Sequence, residues 1–187
     1  MKKKSASQHL DQLLDLYPSA KLINTSQSLS EIDFQSQKEK QFSNQTHAGS
    51  IGILYTPTNE IVLVNRSNLH AGWALPGGSL EHNENFSDAF RREIEEETAL
   101  VPKKIQLIIL EKKLFISPKN ETLDFLLAVF SAPVPKYTLA SPTAEALSEG
   151  LTVAFFNIDK LPSKMILNDR SKIEYFSNNL LRDKHDL

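Results

Sequence analysis

The sequence of 187 residues contains no cysteine, which excludes a disulfide framework and a thiolate metal site alike. It also lacks any apolar stretch long enough to cross a bilayer. The basic start Met1-Lys2-Lys3-Lys4 runs into Ser5-Ala6-Ser7-Gln8-His9 rather than into the apolar core of a secretion signal. A cytoplasmic protein with no membrane partner is expected, and its Asn-x-Ser/Thr triplets, such as Asn120-Glu121-Thr122, then carry no meaning as glycosylation sites. A surplus of one charge is missing too: 21 Lys and Arg against 23 Asp and Glu give a formal net charge of -2, with no footprint of a nucleic-acid partner. No internal repeat is present. The 40% of hydrophobic residues fits one globular domain with some additional chain.

The most informative stretch runs from Gly77 to Leu100, a glycine loop feeding a helix. Asn85 is a good N-cap and Asp88, three residues on, completes a reciprocal capping pattern, which predicts a helix over Phe86–Thr98. At about 100° per residue, Phe86, Phe90, Glu93 and Glu97 share one stripe and Glu96 sits beside it, while Arg91 and Glu95 fall on the far side. The stripe thus turns from apolar to acidic partway along. Like charges at i,i+4 cost about 0.2–0.5 kcal/mol per pair, and this cluster lies toward the negative end of the helix dipole. A divalent cation reverses the sign of that repulsion, because hard carboxylate oxygens are what Mg²⁺ and Mn²⁺ prefer. Glu95 reads as an exposed partner of Arg91.

Starting at Gly78, the chain matches the pattern G-x5-E-x7-R-E-U-x-E-E-x-G-U, where U is bulky and apolar, at Gly78, Glu84, Arg92, Glu93, Ile94, Glu96, Glu97 and Leu100. Trp73-Ala74-Leu75-Pro76-Gly77 leads into it. This resembles the Nudix box of the Nudix hydrolase superfamily, with its MutT-like and ADP-ribose pyrophosphatase-like members. One position departs: the final glycine is Ala99. A residue just past a helix commonly takes φ > 0, where alanine costs about 1 kcal/mol, but the change removes no ligand. The resemblance implies an α/β fold, the Nudix-type α/β/α sandwich with a mixed β-sheet, over residues 47–187, after a short helical N-terminal extension over 1–46. It implies Mg²⁺ (or Mn²⁺) held by Glu93, Glu96, Glu97 and the Gly77 carbonyl, with Arg92 orienting the carboxylates. Glu84 is a second metal ligand or a support of its loop. Glu149, ahead of the strand Thr152–Phe156, stands where MutT-like members carry an acidic residue. It is an extra metal ligand, a general base or a solvated loop residue, and the base is one of Glu93, Glu96 and Glu149.

The rest of the chain reads more coarsely. Gln8–Tyr17 has helical spacing of Leu10, Leu13, Leu14 and Tyr17, Asn24–Ser30 reads as polar linker, and Ser30–Gln41 as a second helix with Ile32 and Phe34 to bury. This first segment is a packing arm, a dimer contact or a lid. Ile51–Tyr55 and Ile61–Val64 form a hairpin across Pro57-Thr58-Asn59, and Asn83 tolerates φ > 0 in a tight connection before the box helix. Lys104–Ser117 and Thr122–Phe130 read as central strands around Pro118-Lys119-Asn120, Pro133–Ala144 as a long loop, and Asn168–Leu181 as a terminal helix with Ile173, Phe176 and Leu180 inward. Arg66 is either a substrate-phosphate contact or plain surface, Trp73 is core packing or a stacking surface, and Asn168 is a helix cap or a contact to a base edge. The substrate implied is a small-molecule nucleotide: first a nucleoside diphosphate linked to another group, with ADP-ribose leading. The alternatives are a MutT-like nucleoside triphosphate pyrophosphohydrolase, acting on oxidised nucleotides among others, and a non-catalytic nucleotide-binding regulator. Such a regulator is expected to have lost box carboxylates, and all are present here. A homodimer is compatible with the first segment.

Overall fold

The computed structural model describes residues 10, 13–43, 45–66, 72–135, 143–148, 150–166 and 168–181. By mutual contact the chain divides into two units, one of Met1–Ile51, Gly78–Phe90 and Leu107–Phe130, the other of Gly52–Gly77, Arg91–Gln106 and Ser131–Leu187.

In the first unit, strand β1 (Lys21–Ser28) runs parallel to β6 (Gln106–Ile116), in register from Lys21↔Ile109 to Ser28↔Ile116. The segment expected to be polar linker is therefore mostly strand. Its alternating half-buried and exposed residues, and the 2.6 Å hydrogen bond from Thr25 Oγ1 to the fully buried Glu111 Oε1, supply what its composition does not advertise. Helix α1 (Glu31–Ser43) follows, capped where Ser30 Oγ accepts the Asp33 N–H at 3.1 Å. Phe34 is 1% exposed as expected, but Ile32 is 81% exposed. The second inward position belongs to Gln41, whose amide nitrogen donates to the Asp124 carbonyl at 3.2 Å and whose Oε1 accepts from His47 Nδ1 at 2.7 Å. Strand β2 (Ala48–Tyr55) begins here, with His47 O accepting the Leu126 N–H of β7 (Thr122–Pro133) at 2.8 Å. Asn120, in the turn joining β6 to β7, has φ 61. Gly49 is a required glycine: a Cβ there would stand 2.8 Å from Gly78 O and 2.9 Å from the Phe125 ring.

In the second unit, β3 (Glu60–Arg66) is antiparallel to β8 (Leu151–Asn157) along its whole length, from Glu60↔Asn157 to Arg66↔Leu151. Its opposite edge is shared by β2, through Tyr55↔Ile61, and by β4 (Gly72–Ala74), through Val64↔Ala74. Ile61 to Val64 are all fully buried, so the run is continuous rather than alternating because both faces are covered. Parallel and antiparallel pairings coexist, and the chain is mixed α/β. Short β5 (Gly77–Ser79) precedes helix α2 (Phe86–Thr98), and α3 (Ala144–Ser148) precedes β8. Helix α4 (Asp169–Phe176), continued by a π-turn over Ser177–Leu181, buries Ile173 and Phe176, the latter 5.0 Å from the Tyr55 ring. Of the long loop expected over Pro133–Ala144, residues 136–142 lie outside the described residues.

Phe34 and Ile32 differ in burial on one helix, and this makes a direct test of whether the first segment belongs to the folded body. Phe34→Ala should lower stability in urea unfolding by about 3–5 kcal/mol, and Ile32→Ala should shift it by no more than about 0.5 kcal/mol. Equal, small effects would mean that α1 contributes nothing to the cooperative core.

Candidate active site

Helix α2 begins and ends where its chemistry dictates. Asn85 Oδ1 accepts the Asp88 N–H at 2.9 Å, while the Asp88 carboxylate accepts from the Asn85 side-chain amide, not from its backbone N–H as the reciprocal pattern expects. The cap is therefore half main chain and half side chain. Asn83 takes φ 65 in the tight connection ahead of it. At the far end Thr98 Oγ1 donates to Ile94 O at 2.6 Å and accepts the Leu100 N–H at 3.2 Å. Ala99 between them has φ 54, the left-handed conformation that a glycine would adopt without a Cβ penalty.

The helix carries its acidic residues in the second unit. Glu97, 7% exposed, accepts the Gly77 N–H through Oε2 at 2.8 Å. Gly77 itself has φ 134, a region that side-chain-bearing residues rarely enter. Arg92 Nη1 lies 2.9 Å from Glu93 Oε1 and 3.3 Å from Glu96 Oε2, so one guanidinium bridges two carboxylates. Glu96 is about half exposed, whereas Glu93 is largely covered. Burial pushes the Glu93 carboxyl up to about 7; the Arg92 charge and hydrogen bond oppose the rise, and the neighbouring Glu97 and Glu96 charges add to it. Glu95 is exposed.

These residues form two pairings, Gly77 with Glu97 and Arg92 with Glu93 and Glu96. Among the described residues no three acidic or histidine side chains are drawn together closely enough to enclose an ion. The donor chemistry nevertheless fits a hard divalent cation: all-oxygen ligands from one helix and an adjoining glycine turn. Glu84, in the first unit, accepts the Glu81 N–H through Oε2 at 2.9 Å and so supports its own turn. Arg66 ends β3 opposite Gly72 and Leu151, and its side chain lies outside the described residues, as does Glu149. Asn168 precedes α4 with φ 71 and makes no side-chain cap. A capping side chain reaches the first-turn amides from an extended backbone, and the left-handed turn removes that option, so the expected cap is absent. Trp73 packs edge-on against Phe156, ring centroids 4.6 Å apart.

Two features escaped the sequence. A cavity of about 400 Å³ in the first unit is lined by Thr25, Lys113, Asp124 and Phe125 among others, and none of the residues nominated from sequence lines it. The Leu75 N–H donates to Asp169 Oδ2 at 2.9 Å, a contact between positions far apart in the chain that no local pattern signals.

Residues 45–176 match the NUDIX domain family. Among solved structures, the MutT NUDIX hydrolase of Burkholderia pseudomallei is similar at 22% identity and TM-score 0.55, over 68% of this chain and 95% of that one. The MutT protein of Bacillus halodurans is similar at 19% identity and TM-score 0.56, over 72% and 84%. The NUDIX domain of Shewanella oneidensis NrtR, solved in complex with ADP ribose, is similar at 16% identity and TM-score 0.57, over 81% and 99%. At these identities the likeness is one of fold. No curated protein matches the chain.

The left-handed Ala99 gives a stability test at the end of α2. Ala99→Gly should raise the unfolding free energy by about 1 kcal/mol, visible as a higher urea midpoint at unchanged slope. A lower midpoint would show that the Ala99 methyl contributes more than its backbone conformation costs.

Proposed function

The chain belongs to the NUDIX hydrolase family, and from that premise we propose that it hydrolyses, with Mg²⁺ or Mn²⁺, a nucleoside diphosphate linked to a second group, ADP-ribose first. The observation that carries the reading is the acidic end of α2: Glu93, Glu96 and Glu97 on one helix, with Arg92 tied to two of them and Gly77 to the third. The fold shared with the NUDIX domain solved with ADP ribose supports the choice of substrate class.

A diphosphate shields its phosphorus with negative oxygens, so attack by water requires charge neutralisation and a held nucleophile. When bound, the divalent cation supplies both, as a Lewis acid on phosphate oxygens and by making its water more acidic. Glu93, Glu96 and Glu97 with the Gly77 carbonyl are the residues that would hold it. Arg92 restrains the Glu93 and Glu96 carboxylates by charge-assisted hydrogen bonds. The proton of the attacking water passes to Glu93, Glu96 or Glu149, Glu84 supports the loop or holds a second cation, and Arg66 and Asn168 contact the substrate. In this reading residues 47–187 are the hydrolase domain and 1–46 its extension, in a cytoplasmic protein able to form a homodimer. Among the described residues no helix is long and apolar enough to cross a membrane. A second reading, pyrophosphohydrolysis of nucleoside triphosphates, draws on the fold shared with the Burkholderia and Bacillus MutT proteins.

A product-resolved panel of ADP-ribose, other nucleotide sugars, dinucleoside polyphosphates, NADH and nucleoside triphosphates, each with Mg²⁺ and with Mn²⁺, separates these readings. Turnover of ADP-ribose to AMP and ribose phosphate is expected. Pyrophosphate released from triphosphates alone would select the second reading, and binding without turnover would select a regulator. With the preferred substrate, Glu96→Ala and Glu97→Ala should each lower kcat by about 100-fold or more, since a metal's charge stabilisation of several kcal/mol corresponds to that factor. Parent-like rates in both would remove the metal assignment.

A further inference from the structure

The turn that carries Gly77 is held by more than Glu97. Trp73 N–H donates to Lys164 O at 3.1 Å and Trp73 O accepts the Ile166 N–H at 2.8 Å, so the chain just before α4 pairs with the chain just before the turn. Asp169, 7% exposed, then accepts the Leu75 N–H through Oδ2 at 2.9 Å. Pro76 has no N–H, and its carbonyl accepts the Gly52 N–H at 2.9 Å. The Gly77 N–H goes to Glu97 Oε2 at 2.8 Å. Both amides that the Leu75-Pro76-Gly77 tripeptide possesses therefore end on buried carboxylates, one from α4 and one from α2.

The arrangement fixes peptide planes. The Ala74–Leu75 plane is held by Asp169, and the Pro76–Gly77 plane is held at both ends, by Gly52 and Glu97. Proline pins its own φ, one of the dihedrals between them. The carbonyl that follows Gly77 leaves this frame at a direction set by the Gly77 backbone, φ 134. An N–H bond to an ionised carboxylate is about twice as strong as a neutral one, and stronger still when water is excluded. Asp169 also pairs with Lys172, whose Nζ is 3.8 Å from Oδ1, is 2% exposed, and reaches Asn168 O at 3.3 Å.

We propose that Asp169 is a positioning residue for the metal centre: by holding the Leu75 amide it sets the direction of the Gly77 carbonyl and so the affinity for the divalent cation. The inference rests on the proposed reading of Gly77 and Glu97 as ligands. It touches no substrate atom and assigns Asp169 no step in the chemistry.

The test is Mn²⁺ binding to substrate-free protein, followed by the electron paramagnetic resonance of the free ion, with thermal unfolding measured on the same samples. Asp169→Ala removes the acceptor and the charge. Asp169→Asn keeps an oxygen for the Leu75 N–H but loses the charge beside Lys172. The double variant Asp169→Asn with Lys172→Met relieves the buried lysine if the single Asn variant folds poorly. Asp169→Ala should weaken Mn²⁺ binding by about 10-fold or more, the range expected when a group that orients a metal ligand is lost. The two Asn variants should stay near the parent in Mn²⁺ affinity even where their melting temperatures fall. Parent-like affinity in Asp169→Ala would overturn the proposal. So would affinities that track melting temperature across all variants, the signature of a merely structural role. A parent that binds no Mn²⁺ would overturn both this inference and the metal reading beneath it, and the two failures are thereby distinguished.

Discussion

Taking a carboxylate out of water demands a strong compensating partner, and at the end of α2 Glu97 finds one in the Gly77 amide. The bond joins residues 20 positions apart, the end of a helix and the turn that precedes its box. A buried carboxylate gains from such a donor because the amides of a helix interior are already used within the helix. The bond ties the end of α2 to the turn, where the backbone of Gly77 takes a conformation open to few other residues. The neighbouring acids are managed differently. Arg92 serves Glu93 and Glu96 together.

Periodicity made α2 legible. A cap at Asn85, an apolar stripe through Phe86 and Phe90, and a switch to Glu93 and Glu97 on the same stripe describe a helix that buries one end and presents acids at the other, and the structure has it over Phe86–Thr98. The hairpin turn at Asn59 and the turn at Asn120 were legible for a related reason: both positions take left-handed φ, and asparagine tolerates it. The departure at Ala99 was legible as well, since the backbone demands of a helix end do not depend on distant residues.

What stayed hidden depends on partners far along the chain. Asn24–Ser30 looks like linker because Asn, Thr, Ser and Gln dominate it, yet most of it belongs to β1, where β6 supplies the ladder and Glu111 takes the Thr25 hydroxyl. Gln41 displaces Ile32 from the inward face of α1 because it has two specific polar partners, Asp124 O and His47, which an apolar scale cannot register. Asn168 was read as a cap from its residue type, and its left-handed backbone put the side chain out of reach of the helix start. Asp169 gave no signal at all, since what it recognises is a backbone amide, present at every position but proline.

The place of β1 has a bearing on how the molecules behave in company. Among the described residues it is the outer neighbour of β6, a strand whose Leu107–Leu110 run is almost wholly buried. On its exposed side Leu22 is followed by Asn24, Ser26 and Ser28, which are short and polar. An open ladder of amides and carbonyls along β6 would be a template for a strand from another molecule, and β1 occupies it with a chain whose own outer face offers little for an apolar strand to bury. The N-terminal strand thereby doubles as a guard on colloidal behaviour: shorn of it, the protein would become prone to edge-to-edge aggregation in concentrated solution.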